Sequence, residues 1–337
     1  MAQRYQVDMK AAADRFTAVP LGTSERIWQG FLARSANGTL FHDLDFLRYH
    51  PPGRFRFHHT MLMRDGESMA LFPGGLTEPE ERPLFCSPLG ASIGGLVVAA
   101  PLRADATLAM IETLQNYARD RGWAGIQITL PPNYYSFETA DTISFALFCR
   151  GFRLEHRWLC PVLQLDPKPN AFERMYRSRQ ASFVRAGIRK GVRCIETGIE
   201  GFSQFVTPFR DTYARHGVPA THSEQEIQDL ITRFPDRIRI HLAMLENVPI
   251  AALLVFRLNA IVANTFYICS NEKHSNEHGP ALVIADTMDR LAVAGCRYLD
   301  LGPTASDMKF NRGVTFFKEG LGALGQSRDR WRWNVET

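Results

Sequence analysis

The chain has 337 residues, of which 45% are hydrophobic and 22% charged, with a formal net charge of +4. Such a composition excludes disordered, collagen-like and membrane-spanning classes, and the length suits two domains of roughly 150 residues each. The small positive excess is compatible with anionic ligands such as coenzyme A or RNA but argues for neither, and no DNA partner is expected.

No apolar run approaches the roughly 20 residues that cross a bilayer. The start, Met1-Ala-Gln-Arg-Tyr-Gln-Val-Asp8, lacks the apolar core of a signal peptide. A cytoplasmic protein without membrane insertion is expected. In chain order, residues 59–72 read as strand, Asp65-Gly66 turn, strand. His58-His59 has no third ligand at metal spacing and reads as structural. A further strand is expected over 84–87. The cluster Gly90-Ala-Ser-Ile-Gly-Gly95 lacks the Lys-Ser/Thr of a nucleotide-binding loop and reads as the turning wall of an acceptor cleft. Residues 106–121 place Leu108, Ile111, Leu114 and Tyr117 at helical spacing before Gly122. A strand over 125–130 then breaks at Pro131, and Pro131-Pro-Asn-Tyr-Tyr135 either lines the same wall or makes a simple turn.

Asp166-Pro-Lys-Pro-Asn170 reads as a linker, giving domains at 1–165 and 166–337. After it comes a basic helical stretch, 171–189, with Arg174, Arg177, Arg179, Arg185 and Arg189, then Lys190. It is a solvated face or a phosphate-binding rim. The second half then repeats the first: a hairpin over 241–256, a strand over 261–269, a helix over 280–294 ending at Gly295, and a strand over 297–301 broken at Pro303. Hairpin, strand, helix, strand thus occurs twice, which points to a duplicated α/β domain with mixed sheets. The six cysteines (Cys86, Cys149, Cys160, Cys194, Cys269, Cys296) are widely spaced and form no Cys-x-x-Cys. They read as buried thiols, with no metal site expected.

The densest signal lies near the end. Phe316-Phe317-Lys318-Glu319-Gly320-Leu321-Gly322 sets one lysine beside two aromatics and between glycines, where a strand edge should open into a cleft. A compact cation there can hold a phosphate or the oxyanion of an acyl-transfer intermediate. The same pattern also fits the start of an amphipathic helix.

The ordered segments resemble the FemAB-like branch of the GNAT acyltransferase superfamily. Ile188-Arg-Lys-Gly-Val-Arg-Cys-Ile-Glu196 is similar to its helix-to-strand entry, and His216-Gly-Val-Pro-Ala-Thr-His-Ser223 to its Gly-Thr-Pro segment. Tyr298-Leu-Asp-Leu-Gly302 resembles its Phe-Asp-Phe-Gly strand. Phe317-Lys318 with Gly320 and Gly322 resembles its Phe-Lys signature. Phe41-His-Asp-Leu-Asp-Phe-Leu47 and Pro88-Leu-Gly-Ala-Ser-Ile-Gly-Gly95 resemble its opening segments, so that the likeness covers residues 25–333. It implies two tandem GNAT-like domains with a cleft between or beside them. The first would be the acceptor side without donor chemistry, and the second would bind the donor and catalyse. It further implies transfer of an acyl or aminoacyl group, from acyl-CoA or aminoacyl-tRNA, to an amine.

On that reading Lys318 is the donor-phosphate or oxyanion residue. Asn276-Glu-His-Gly279-Pro-Ala281 stands where a CoA enzyme carries its pyrophosphate loop, with the small residues in place but with Pro280 lacking an N–H. Asn276, Gly279, Ala281, Arg185 and Arg189 are therefore the donor-binding candidates, and acyl-CoA is slightly favoured. Asp300 accepts the amine proton or orients the acceptor, or else caps the turn at Gly302. His222 is a candidate base and His216 a substrate residue, both in a loop around Pro219. Tyr267 protonates a leaving thiolate or belongs to the core. Asp307 and Arg312 are loop candidates for substrate. The acceptor amine would belong to a small molecule or to a cell-envelope or polysaccharide precursor. An aminoacyl-tRNA-dependent ligase and a non-catalytic binding scaffold are the alternatives.

Overall fold

A computed structural model of the protein describes residues 16–77, 81–217, 219–306 and 309–336. They fall into two units, the first running to Arg157 and taking in Arg328 onward, the second spanning Trp158–Ser327. No helix among the described residues is long and apolar enough to cross a membrane.

In the first unit β1 (Thr17–Pro20), β3 (Thr60–Arg64), β4 (Glu67–Phe72) and β7 (Val97–Val98) form an antiparallel sheet in that order. The expected hairpin is β3–β4, with Asp65 and Gly66 both at positive φ in the turn. β2 (Arg56–Phe57), β5 (Gly75–Leu76), β6 (Leu84–Ser87) and β8 (Gly125–Thr129) form a separate row. The duplicated order is therefore present, but here its hairpin and its following strand lie in different sheets, because β4 pairs with β7 while β6 pairs with β5. β6 and β8 run parallel, joined through the helix α3 (Ala104–Asp120). Thr107, Met110, Ile111, Leu114 and Ala118 form its buried face, the i, i+3, i+4, i+7 spacing of an amphipathic helix. Two earlier helices, α1 (Glu25–Ala33) and α2 (Leu44–Leu47), and one later one, α4 (Thr142–Cys149), complete this unit.

β9 (Arg153–Gln164) enters the second unit at Trp158, and its end pairs with a central strand there (Gln164 opposite Tyr298). The segment Asp166–Asn170 consequently lies inside the second unit, where the Asn170 and Ala171 amides donate to the Asp289 carboxylate. The last strand, β17 (Leu324–Asn334), ends in the first unit: residues 330–334 pair antiparallel with β8, and Trp331 and Trp333 pack on the first unit's core. The final residues thus belong with the first unit, not with the stretch that begins at 166.

The second unit orders its strands β10 (Arg193–Thr197), β11 (Ile238–Leu245), β12 (Val248–Arg257), β13 (Val262–Ser270), β14 (Tyr298–Asp300), β9. β13 and β14 are parallel and linked by α9 (Gly279–Val293), which is buried on most of its circumference. The basic stretch is two helices, α5 (Phe172–Met175) and α6 (Ser178–Arg189), not one. The backbone is extended at Tyr176, whose buried hydroxyl donates to the Ala281 carbonyl, and the Arg177 amide donates to the Gly320 carbonyl. α7 (Phe202–His216) and α8 (Glu224–Arg233) follow β10. His216 is thus the last residue of a helix, which Gly217 terminates at φ 64, and its side chain lies outside the described residues. α10 (Arg312–Gly320) precedes β17 and carries the Phe-Phe-Lys run.

Candidate active site

A cleft of about 420 Å³ opens in the second unit where β13 loses its parallel partner. β14 pairs with β13 only from Val262–Tyr298 to Asn264–Asp300, whereas β13 runs on to Ser270 along β12. Gly302, at φ 74, turns the chain away from β13 while the Leu301 and Thr304 amides still donate to the Pro161 and Leu159 carbonyls of β9, a conformation open to glycine at little cost. A register shift between Leu254 and Val255 leaves Phe266 as an extra residue on β13. Phe266, Ile268 and Ser270 then face the cleft, opposite Val314, Phe317 and Lys318 of α10.

Lys318 is buried, with 5% of its surface exposed. Its Nζ donates to the carbonyls of Gly302 (2.9 Å) and Pro303 (3.1 Å). Burial lowers its pKa from 10.5 to about 8, against the opposing pull of Asp300. The Asp300 carboxylate, also buried, accepts from the Gly302 amide at 2.6 Å. Lysine and aspartate therefore meet at one turn: the carboxylate shapes it, the ammonium ties down its carbonyls, and each charge offsets the burial of the other. Arg215 stands on the rim with Nη2 3.1 Å from Ser270 Oγ, a second cation that the sequence reading did not single out. Helical phase puts it beside Thr212, which also contacts Ser270.

The remaining expectations are placed differently. His222 and Tyr267 are bonded to each other: the Tyr267 hydroxyl accepts the His222 amide at 3.0 Å and lies 2.9 Å from its Nδ1. Alternation along β13 turns Tyr267 away from Phe266 and Ile268, under Phe209 and Tyr213 of α7, and burial pushes its hydroxyl up to about 12. The pair does not line the cleft. Gly279 is needed for packing, since a Cβ there would stand 2.7 Å from the Ala251 Cβ. Ala281 is a core residue whose amide donates to the His278 carbonyl. Pro280, between them, does reach the cleft, while Asn276 is exposed on the preceding turn. Arg185 is paired with Glu173, Arg174 with Asp166 and Lys190 with Glu277, so half of the basic stretch is neutralised by its own neighbours. Arg189 is exposed on α6. Arg312 begins α10 and lies over the Phe316 ring at 5.1 Å, and Asp307 lies outside the described residues.

The glycines of the Phe-Lys run also have packing roles. A Cβ on Gly322 (φ 82) would stand 2.2 Å from the Met175 carbonyl oxygen. In the first unit, His58 meets the Tyr117 hydroxyl, and burial pushes His59, which accepts the Gly74 amide, down to about 4. The amides of Gly94 and Gly95 are spent on Thr129 and Ser87, leaving that glycine cluster no free cradle for a phosphate at those positions. Of the cysteines, Cys149 is exposed and Cys194 half-buried, and the other four are buried. Among the described residues no three of His, Cys, Asp and Glu stand close enough to hold a metal.

The cleft thus combines a parallel strand pair that splays, a helix N-terminus at Pro280 and a buried cation on the opposite wall. Residues 170–312, all within the second unit, match the family described as Acetyltransferase (GNAT) domain. Among solved structures the chain is similar to FemX at 12% identity and a TM-score of 0.72, covering 92% of this chain and 96% of that one. It is also similar to L-PGS from Bacillus licheniformis (11% identity, TM-score 0.57, 93% and 92% covered). A third likeness is to a tandem GNAT protein from the clavulanic acid biosynthesis pathway (13% identity, TM-score 0.52, 96% and 99% covered). No curated protein sequence matches the chain. At these identities the likenesses show a shared fold.

Proposed function

We propose that the protein transfers an acyl or aminoacyl group from an activated donor to an amine in the cleft beside β13 and β14. The observation that carries this reading is the Lys318 ammonium. It is buried at the cleft wall, with two N–H bonds spent on carbonyls and the third uncommitted among the described residues. When a neutral amine attacks the donor carbonyl, a C–N bond forms and the carbonyl oxygen takes the electron pair as an oxyanion. Lys318 neutralises that charge. Collapse re-forms the carbonyl and expels the alkoxide or thiolate, which takes up the proton lost by the amine. Asp300 acts through Lys318, since its charge favours the ammonium form. Arg215 supplies positive charge at the rim for a donor phosphate.

Aminoacyl-tRNA has more support than acyl-CoA as the donor. A CoA pyrophosphate would need free amides at the start of α9. Pro280 has no N–H, and the Ala281 amide is engaged by the His278 carbonyl. The acceptor is proposed to be an amine on a small molecule or a cell-envelope precursor. Thermal melting with CoA, acyl-CoAs and aminoacylated tRNA tests the reading. Stabilisation by charged tRNA alone, fading steeply with added salt, is expected. Stabilisation by acyl-CoA alone would overturn the donor preference and leave acyl transfer standing; stabilisation by neither would overturn the reading.

A further inference from the structure

We propose that the first unit docks on anionic lipid bilayers through α4 and the arginine-lined hollow beside it. α4 turns Ala146 and Leu147 into the core, where neither retains exposed surface. Phe145 and Phe148, three residues apart and so on one helical face, are instead 52% and 69% exposed. Phe137, shortly before the helix, is 44% exposed. Two phenylalanines presented together on one short helix are an apolar wedge with nothing of this unit over it.

Cys149, on the same face as Phe145, borders an open hollow of about 900 Å³. Arg119, Arg150, Arg153 and Arg332 line it, with Glu112 and Glu336 as the opposing charges. Glu112 is already spent on Arg150, at 2.7 Å. That leaves Arg119, Arg153 and Arg332 against Glu336, a surplus of positive charge beside the wedge. Asp141, at the start of α4, accepts from the neutral Asn133 amide, which does not cancel its charge, and Glu138 is exposed beside Phe137, but neither carboxylate lines the hollow. Arg119 lies over the Trp333 ring at 5.0 Å, which holds its guanidinium in place.

Aromatic side chains beside clustered arginines suit the interface of an anionic membrane. The rings enter the boundary of headgroups and acyl chains while the guanidinium groups meet lipid phosphates. A second copy of the chain would cover the phenylalanines but set like charges against each other. RNA would meet the arginines without needing two neighbouring rings raised on a helix.

Sedimentation of the whole protein with vesicles tests this, using phosphatidylcholine alone and phosphatidylcholine mixed with phosphatidylglycerol. Wild type is expected to sediment with the mixed vesicles only, and to be released by high salt. Replacing Arg119 and Arg153 by Ala lowers partitioning by about 25-fold, from roughly fivefold for each arginine near a charged surface. Phe145→Ser with Phe148→Ser lowers it by about tenfold or more. Thermal melting shows whether either pair of changes unfolds the unit. Failure of wild type to bind, or equal binding to both vesicle types, overturns the proposal. So does binding to a mixed-sequence RNA that the Arg119 and Arg153 changes abolish and the phenylalanine changes leave intact, which would make the face an RNA surface. A wild-type dimer that the phenylalanine changes dissociate would make it a self-association surface and overturn the proposal equally.

Discussion

Replacing Lys318 by Met keeps the length of the side chain and removes its charge and its donors. Its effects on stability oppose each other. The lowering of its pKa from 10.5 to about 8 means that carrying the buried charge at neutral pH costs the folded state about 3 kcal/mol. That cost is complete below pH 8 and is relieved as pH rises toward 10.5, because there the unfolded chain alone holds the proton. Methionine removes it, but also removes the bonds to the Gly302 and Pro303 carbonyls, at about 1 kcal/mol each. Methionine also removes the countercharge to the buried Asp300 carboxylate, a cost of about 3–5 kcal/mol, so the variant should be destabilised by about 2–4 kcal/mol at neutral pH. Turnover behaves otherwise: loss of an oxyanion donor costs about 10²–10³-fold in kcat. Urea denaturation and turnover with a confirmed donor, measured on the same preparation, separate the two. The reasoning is refuted if Lys318→Met turns over within a few-fold of wild type. It is equally refuted if its loss of activity only follows a loss of folded protein.

Other substitutions test the roles given to neighbouring residues. Gly322→Ala places a Cβ 2.2 Å from the Met175 oxygen at a φ of 82°, and should cost more than ~2 kcal/mol in urea denaturation; a cost near zero would contradict the packing role of that glycine. Gly279→Ala meets the Ala251 Cβ at 2.7 Å and should destabilise by about 1–3 kcal/mol with the donor KM unchanged. A rise in KM without loss of stability would return Gly279 to donor binding. Tyr267→Phe removes the hydroxyl that meets the His222 amide and Nδ1 and should cost about 1–2 kcal/mol while kcat stays within a few-fold. A tenfold fall in kcat at unchanged stability would bring Tyr267 and His222 into the chemistry.

Local signals in the sequence are the ones that translate into structure. Asp65-Gly66 marks the β3–β4 turn, and Glu246, at φ 53, sits in the equivalent turn between β11 and β12. Gly122 and Gly295 end α3 and α9 as capping residues at positive φ. Lys318 is legible because a lone lysine between aromatics and glycines contrasts with an ordinary solvated face. What depends on distant partners is not legible. The break at Tyr176 is set by a bond from Arg177 to Gly320, far along the chain. The return of β17 to the first unit rests on Trp331 and Trp333 meeting a core built from the first half, and the charged residues beside them hide a strand from any reading of alternation. Gly279 and Ala281 satisfy the small-residue pattern of a phosphate loop for a different reason, the close approach of α9 to β12. Arg215 resembles any exposed helical arginine until β13 brings Ser270 beside it.

The dependence of kcat on pH, in wild type and in Lys318→Arg, tests the role of the buried ammonium most directly. The proton on Lys318 is held below about pH 8 and lost above it. Wild-type kcat at saturating donor should therefore fall as pH rises through about 8, and the residual activity of the arginine variant should lack that fall, since a guanidinium keeps its proton throughout. A wild-type profile that stays level well above pH 8, or the same fall in both proteins, would contradict the account.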